Sequence, residues 1–264
     1  MFNCLELFSG TGSFGKVAKS LGYDVISLDL LLSADIQEDI LTWDYKIYKP
    51  DHFDIVWASP PCTAYSHLQN GWLGRKRKGV IFTHEIWAEE MKESDKIVLK
   101  TIEILNYFNP LIWFIENPAG SKLKERPFMK QLENDNNCYI VDYCKYSDWG
   151  YKKRTRIWTN KDNWTPLICK NDCENMVIIQ TNGAVHTGSK KPIKSSTRLL
   201  HKNNCGDIPK QKEIKRQLRL LHKNNCGNSE KLKAVKDNTE FDNGTTQLDR
   251  YRIPPLLIFS LLQE

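Results

Sequence analysis

The chain has 264 residues, a formal net charge of +6 and 40% hydrophobic residues, enough to bury one sizeable core with an appendage but short for two full domains. No run of eighteen apolar residues occurs, and Met1 leads straight into the apolar segment 2–8 without a basic leader. Neither a membrane span nor a secretory signal is therefore expected, and the protein is expected inside the cell. Its eight cysteines then read as thiols, metal ligands or a nucleophile rather than as a disulfide framework.

In chain order, residues 2–8 (FNCLELF) predict a strand entering a Ser/Gly/Thr turn, 14–21 carry a helical pattern, and 24–30 (DVISLDL) read as a second buried strand. The alternation recurs. Residues 54–58 (DIVWA) predict a buried strand, 85–107 a long amphipathic helix, and 111–115 (LIWFI) another strand stopped by Asn117-Pro118. Such alternation predicts an α/β fold, a doubly wound and mainly parallel sheet with helices on both faces, whose ligands sit at the carboxyl ends of the strands.

After Trp158 the pattern fades into a stretch rich in Lys, Asn, Thr and Gly before an apolar C-terminal segment (IPPLLIFSLL). The expected organisation is a catalytic and cofactor-binding domain over 1–160, a small inserted domain over 161–248, and a return to the first domain over 249–264. Residues 161–240 hold sixteen Lys/Arg against eight Asp/Glu, so the remainder is slightly acidic. A locally basic segment of this kind suits a surface laid on a phosphate backbone, although a solvated loop has the same composition. Within it RLLHKNNCG occurs twice, at 198–206 and 219–227, a local duplication with too few copies for a solenoid.

Four segments at predicted strand ends carry chemistry. The turn Phe8-Ser9-Gly10-Thr11-Gly12 between strand and helix offers backbone N–H groups and a helix N-terminus to a polar ligand. Asp29 ends the next strand at the distance where a carboxylate takes hydrogen bonds from a ribose, and Asp39 lies where it could read an adenine amino group. Together they favour a nucleoside-containing cofactor. The lack of Gly-Lys-Ser/Thr places a dinucleotide or S-adenosylmethionine ahead of a nucleoside triphosphate.

In the second segment, Ala58-Ser59-Pro60-Pro61-Cys62, two prolines stiffen a turn and put a thiol at the strand's carboxyl end, the setting of a nucleophile rather than of a core cysteine. The third, Phe114-Ile115-Glu116-Asn117-Pro118, brings a carboxylate out of an apolar strand, suited to sharing a proton with a heterocycle nitrogen; helix capping is its plainer reading. The fourth, Lys152-Lys153-Arg154-Thr155-Arg156, turns Arg154 and Arg156 to one face of an extended strand, toward a base or phosphate.

In that order LFSGTGSF, SPPC, ENP, the R-x-R strand of KKRTRIW and a C-terminal RYRIPPLLI resemble the DNA (cytosine-5) methyltransferase family, over residues 5 to 160 and again 250 to 258. The phrases YCKY and IWTN resemble its short stand-alone phage and giant-virus members in particular. The resemblance implies the fold of S-adenosylmethionine-dependent methyltransferases, with that cofactor held by Phe8, Ser9, Gly10, Thr11, Gly12, Asp29, Asp39 and Pro60. It implies that Cys62 attacks C6 of a flipped cytosine, that Glu116 engages N3 and the exocyclic amine, and that Arg154 and Arg156 steady the base or its phosphate. The insert would then be the target-recognition region. Arg75, Lys76, Arg77 and Lys78, between Gly71, Gly74 and Gly79, would lie on a mobile loop closing over DNA. Lys152 stands where the family has Gln, and no Gly-Asn-Ser-Val phrase adjoins the IPP segment.

The expected partner is double-stranded DNA, the expected state a monomer in the cytoplasm of a bacterial or infected host cell. An RNA cytosine-5 methyltransferase and a catalytically inactive DNA-binding relative are the other readings; a nicotinamide-dependent dehydrogenase leaves SPPC and ENP unexplained. Cys169 and Cys173 (C-x3-C) with His201 and Cys205 (H-x3-C) are ligand types that suit structural zinc, but the spacing and the duplicated His222 and Cys226 do not assign a metal.

Overall fold

A computed structural model of the chain describes residues 1–30, 34–147, 152–173 and 252–262, and the backbone of 176–181 and 196–201. The elements are β1 (Asn3–Leu7), α1 (Ser13–Ser20), β2 (Asp24–Leu28), β3 (Ile55–Ala58), a hairpin of β4 (Lys76–Arg77) and β5 (Val80–Ile81), and α2 (His84–Phe108). They continue with β6 (Ile112–Pro118), α3 (Pro127–Asp135), β7 (Asn137–Asp142), β8 (Arg154–Thr159), β9 (Met176–Thr181), β10 (Ser196–His201) and α4 (Pro255–Leu262). No helix among the described residues is long and apolar enough to cross a membrane.

Six strands form one mixed sheet in the order β2-β1-β3-β6-β8-β7. The first four run parallel, and β8 is antiparallel to both its neighbours. The chain leaves β1 for β2 on one side and returns as β3 on the other. The topological switch therefore lies between β1 and β3, where α/β sheets open a ligand crevice at their carboxyl edge.

Strand register sorts the side chains into two layers, because directly paired residues project to the same face. Leu5, Leu7, Val56, Ala58, Ile115 and Trp158 pack in one core cluster with Val98, Ile104, Leu105 and Phe108 of α2 and Met129 of α3. Glu6, Trp57, Phe114 and Glu116 alternate to the other face, where Phe14 of α1 stacks on Trp57 at 5.5 Å. Helix α2 buries Trp87, Asp95, Val98, Thr101, Ile104, Leu105 and Phe108 at helical spacing. The Thr83 side chain accepts a hydrogen bond from the Ile86 N–H at its start, and Asn109, at φ 45°, ends it in the left-handed region.

The chain divides into two units. One comprises Met1–Asp142, Arg154–Ile168 and Tyr251–Glu264 and holds the whole six-stranded sheet. The other comprises Tyr143–Lys153 and Cys169–Arg250 and contains the β9–β10 hairpin. Composition changes at about 161, yet the chain stays in the first unit through Ile168, where Trp164 is buried and packs edge-on against Tyr139 at 5.2 Å. Residues 198–201 of the first RLLHKNNCG copy lie on β10; the rest of that copy, the second copy, and the remainder of 182–195 and 202–251 lie outside the described residues.

Candidate active site

The turn after β1 is built from backbone that a side chain rarely tolerates. Phe8 (φ 59°), Gly10 (φ 52°) and Gly12 (φ 66°) all adopt the left-handed region, where a phenylalanine is uncommon. The Ser9 N–H donates to Leu28 O at 3.1 Å and the Gly12 N–H to Ser9 O at 2.7 Å. Gly10 N–H donates to Asp29 Oδ2 at 3.0 Å, so the acidic residue after β2 is locked to the glycine turn after β1. The Thr11 and Ser13 hydroxyls pair at 3.0 Å. Asp39 lies beyond Ile36, which bridges Leu28 in parallel, so the chain runs toward it along the same edge of the sheet; its Oδ1 accepts from the Leu41 N–H at 3.0 Å.

Glu6 is a residue that the sequence reading passed over. It is 3% exposed and accepts from the first-turn N–H groups of α1, Phe14 to Oε1 at 3.0 Å and Gly15 to Oε2 at 3.1 Å. Gly12 precedes the helix and has no side chain to cap it, so a strand carboxylate supplies the capping oxygens instead. A Cβ on Gly15 would stand 2.7 Å from Glu6 Oε2, which explains the glycine inside this helix. The sequence signal was available: an acidic residue on an apolar strand directly before a glycine turn.

Burial raises the Glu6 carboxyl, the two backbone hydrogen bonds oppose it, and the net result is a pKa of about 7. Because the folded value lies above the unfolded one, the carboxyl's contribution to stability is complete below pH about 4.5 and is lost as pH rises through about 7. Wild type should lose on the order of 3 kcal/mol relative to Glu6→Gln between pH 5 and 8. Urea midpoints of both proteins across that range measure it, and parallel curves would refute the burial of an ionisable Glu6.

The thiol segment leaves β3 at Ala58 and is held on both sides. Ser59 N–H donates to Leu7 O at 3.3 Å, Trp57 Nε1 to Ser59 Oγ at 2.9 Å, and Asn117 Nδ2 to Pro60 O at 3.0 Å. The last bond ties SPPC directly to ENP. Pro60 is buried, Pro61 exposed and Cys62 half-buried. Beyond it, Tyr65 N–H donates to Cys62 O at 3.1 Å, Trp87 Nε1 to Ala64 O at 2.6 Å, and the buried Tyr65 hydroxyl to Asp95 Oδ1 at 2.8 Å. Arg126 completes that network by an ion pair with Asp95. A cysteine set between two anchored stretches is placed by the scaffold rather than by its own flexibility.

Glu116 lies two residues before the end of β6 at 6% exposure, on the same face as Phe114 and Trp57. In the β6–β8 register Glu116 opposes Ile157, Asn117 opposes Arg156 and Pro118 opposes Thr155. Arg154 and Arg156 therefore share one face, as alternation demands, but it is the face of Asn117 and not that of Glu116. Arg154, half-exposed, makes a bidentate pair with the fully buried Asp142 at 2.9 and 2.8 Å. Arg156 Nη1 donates to both Glu133 oxygens at 3.0 Å and lies over the Trp158 ring. Asn117 Oδ1, Thr155 Oγ1 and Arg156 Nε are buried without a hydrogen-bond partner, three such atoms on adjoining positions of the two strands at the carboxyl edge of β6. Orphan polar atoms cost about 1–3 kcal/mol each; Asn117 and Arg156 lie on one face of the sheet and Thr155, opposite Pro118, on the other.

The segment after Cys62 folds back as a 3-10 turn, His67–Trp72, and the β4–β5 hairpin, with Lys78 (φ 49°) and Gly79 (φ 87°) at its tip. Arg75, Lys76 and Lys78 are exposed, but Arg77 is turned inward. Its guanidinium lies 4.0 Å over the Phe82 ring, donates to Gln69 Oε1 at 2.7 Å and pairs with Glu90. Leu68, Trp72, Val80 and Ile81 are all exposed on this same segment, an apolar set interleaved with the basic one.

No protein-family model matches the chain. A protein of Frog virus 3 (isolate Goorha) bearing the name "Probable DNA (cytosine-5)-methyltransferase" is 33% identical over 262 residues, which make up 98% of this chain and 97% of that protein. Among solved structures, the Entamoeba histolytica methyltransferase EhMeth matches with a TM-score of 0.45 and 17% identity, over 63% of this chain and 56% of that one. The S. pombe Dnmt2 methyltransferase matches with a TM-score of 0.41 and 16% identity, over 63% and 53%. The chain spans about half the length of these solved structures.

Proposed function

The chain belongs to the DNA (cytosine-5)-methyltransferase family, and from that premise we propose that it methylates C5 of cytosine in double-stranded DNA with Cys62 as nucleophile. The observation that carries this reading is the joining of SPPC to ENP through Asn117 Nδ2 and Pro60 O at 3.0 Å, beside the switch point of the sheet. A thiol on the loop after β3 and a buried carboxyl on the neighbouring strand β6 are thereby held at one edge.

S-adenosylmethionine suits the site: the left-handed positions of the Phe8–Gly12 turn let backbone approach a ligand closely, and Asp29 and Asp39 supply carboxylate oxygens for ribose hydroxyls and an adenine amine. When bound, this cofactor supplies an electrophilic methyl group. Cys62, as thiolate, adds to C6 of cytosine, and Glu116 holds a proton at N3. The electron pair released by addition is localised at C5, which an unactivated pyrimidine does not offer. Once C5 is methylated, loss of its proton and departure of the Cys62 thiolate restore the aromatic ring. The base must leave the duplex for this, at a cost of a few kcal/mol.

Phosphate contacts offset that cost. Arg154 and the exposed Arg75, Lys76 and Lys78 supply them in this reading, while Arg77 holds the loop through Glu90 and Phe82. The basic second unit carries sequence recognition. Replacing Arg75, Lys76 and Lys78 by Ala should reduce the slope of log K against log salt for DNA binding by about 3, without lowering the melting temperature. Arg77→Ala should lower the melting temperature instead. An unchanged salt slope in the triple variant would remove these residues from the DNA contact. Nucleoside analysis of DNA after reaction tests the proposal itself: 5-methyl-2′-deoxycytidine is expected, and methylation on an exocyclic nitrogen alone would overturn it.

A further inference from the structure

We infer that Cys144, Cys169 and Cys173 form a structural zinc site in the second unit. Their sulfur atoms lie within 4.8 Å of one another, although Cys144 stands 25 positions before Cys169 in the sequence. Tetrahedral zinc with Zn–S bonds of about 2.3 Å sets its sulfurs about 3.8 Å apart, so a small contraction of this triangle gives three of the four ligand positions. The side chains hydrogen-bond to one another, and none of the three is joined in a disulfide. Cys144 and Cys169 are buried and Cys173 is half-buried.

Two further features belong to a thiolate site. The backbone N–H groups of Asn171 and Asp172 donate to the Cys169 sulfur, and Asn171, at φ 65°, makes the left-handed turn that aims them there. Donors directed at a buried sulfur stabilise its anionic, metal-binding form. Around the cluster, Lys145 pairs with Asp172 at 3.1 Å and Lys152 Nζ donates to Cys169 O at 3.0 Å, so cationic charge lies close to three potential thiolates. All these residues belong to the same unit.

The location gives the metal a task. Cys144 lies two positions past Asp142, and Cys169 is the residue after Ile168, the two points at which the chain passes from the first unit into the second. A metal clip here fastens both entry segments of a unit whose residues 169–240 hold fifteen Lys/Arg against seven Asp/Glu, a cross-link of the kind that supplements a small core. The arrangement differs from the C-x3-C plus H-x3-C set that the sequence suggests. It recruits Cys144 from the YCKY phrase; Cys205 and the side chain of His201 lie outside the described residues.

The full chain, expressed with zinc in the medium and purified without chelator, is expected to carry about one zinc per molecule by elemental analysis. Chelation should expose three additional thiols to Ellman's reagent, and cobalt exchanged into the wild-type protein should show sulfur-to-metal charge-transfer bands. Cys144→Ser and the double variant Cys169→Ser/Cys173→Ser should each lose the metal. Cobalt spectra of the wild-type protein read the same ligands without any mutation, which keeps the test valid if a variant fails to fold. Wild-type protein with less than about a tenth of an equivalent of metal, a disulfide between any two of the three cysteines on non-reducing peptide mapping, or unchanged metal content in folded variants would each overturn the assignment.

Discussion

Cys62→Ala is expected to abolish methyl transfer, with a fall of at least about a thousandfold, while cofactor and DNA affinity stay near wild type. The loss should be total in this sense because the reaction has no uncovered route: without an adduct at C6, C5 carries no electron pair to share. Cys62 is half-buried, and its backbone oxygen accepts from Tyr65 N–H at 3.1 Å, a bond that truncation of the side chain retains. Duplex DNA containing 5-fluorocytosine isolates the step. Fluorine at C5 cannot leave as the proton does, so wild type should remain covalently joined to the DNA through denaturing electrophoresis and Cys62→Ala should not. A covalent complex formed equally by the variant would assign the nucleophile elsewhere.

Glu116→Gln is expected to lower kcat by about a hundredfold or more, with little change in KM for DNA. Gln keeps the volume and the hydrogen-bonding capacity of a side chain that is 6% exposed, but it cannot hold and return a proton at N3. The effect should therefore fall on the chemical step. Single-turnover rates with saturating DNA measure it directly, and a rate within about threefold of wild type would confine Glu116 to a packing role.

Much of this site is legible in the sequence because it sits at strand ends, and strand ends are marked by local punctuation. The helix expected over 85–107 is α2, His84–Phe108, since 25 residues of amphipathic spacing leave little room for error. The strand expected to stop at Ile115 instead runs through Pro118, because β8 comes back antiparallel and pairs with Glu116, Asn117 and Pro118. A proline reads as a stop unless the partner strand is known, and the paired residues are 37 to 41 positions away. Helix α3 has a local start signal in Pro127 at its first position but only nine residues of periodicity to support it.

The missed features share a cause: each depends on which element faces which. Alternation places Arg154 and Arg156 on one face, but only the register shows that Asn117 shares that face and Glu116 does not. A basic run of four looks uniform in sequence, and yet Phe82 and Glu90 claim Arg77 while its neighbours remain exposed. Glu6 reads as a polar interruption of a strand until the helix N-terminus is seen above it. Cys144 carries no spacing signal at all, because its two companions are 25 and 29 positions further on.

The central claim is tested most directly by supplying S-adenosylmethionine labelled in its methyl group together with unmethylated mixed-sequence duplex DNA and, separately, tRNA, using wild type and Cys62→Ala. Label recovered at cytosine C5 of the DNA, and absent with the variant, is the predicted result. Label confined to tRNA, or label on DNA that persists in Cys62→Ala, would contradict it.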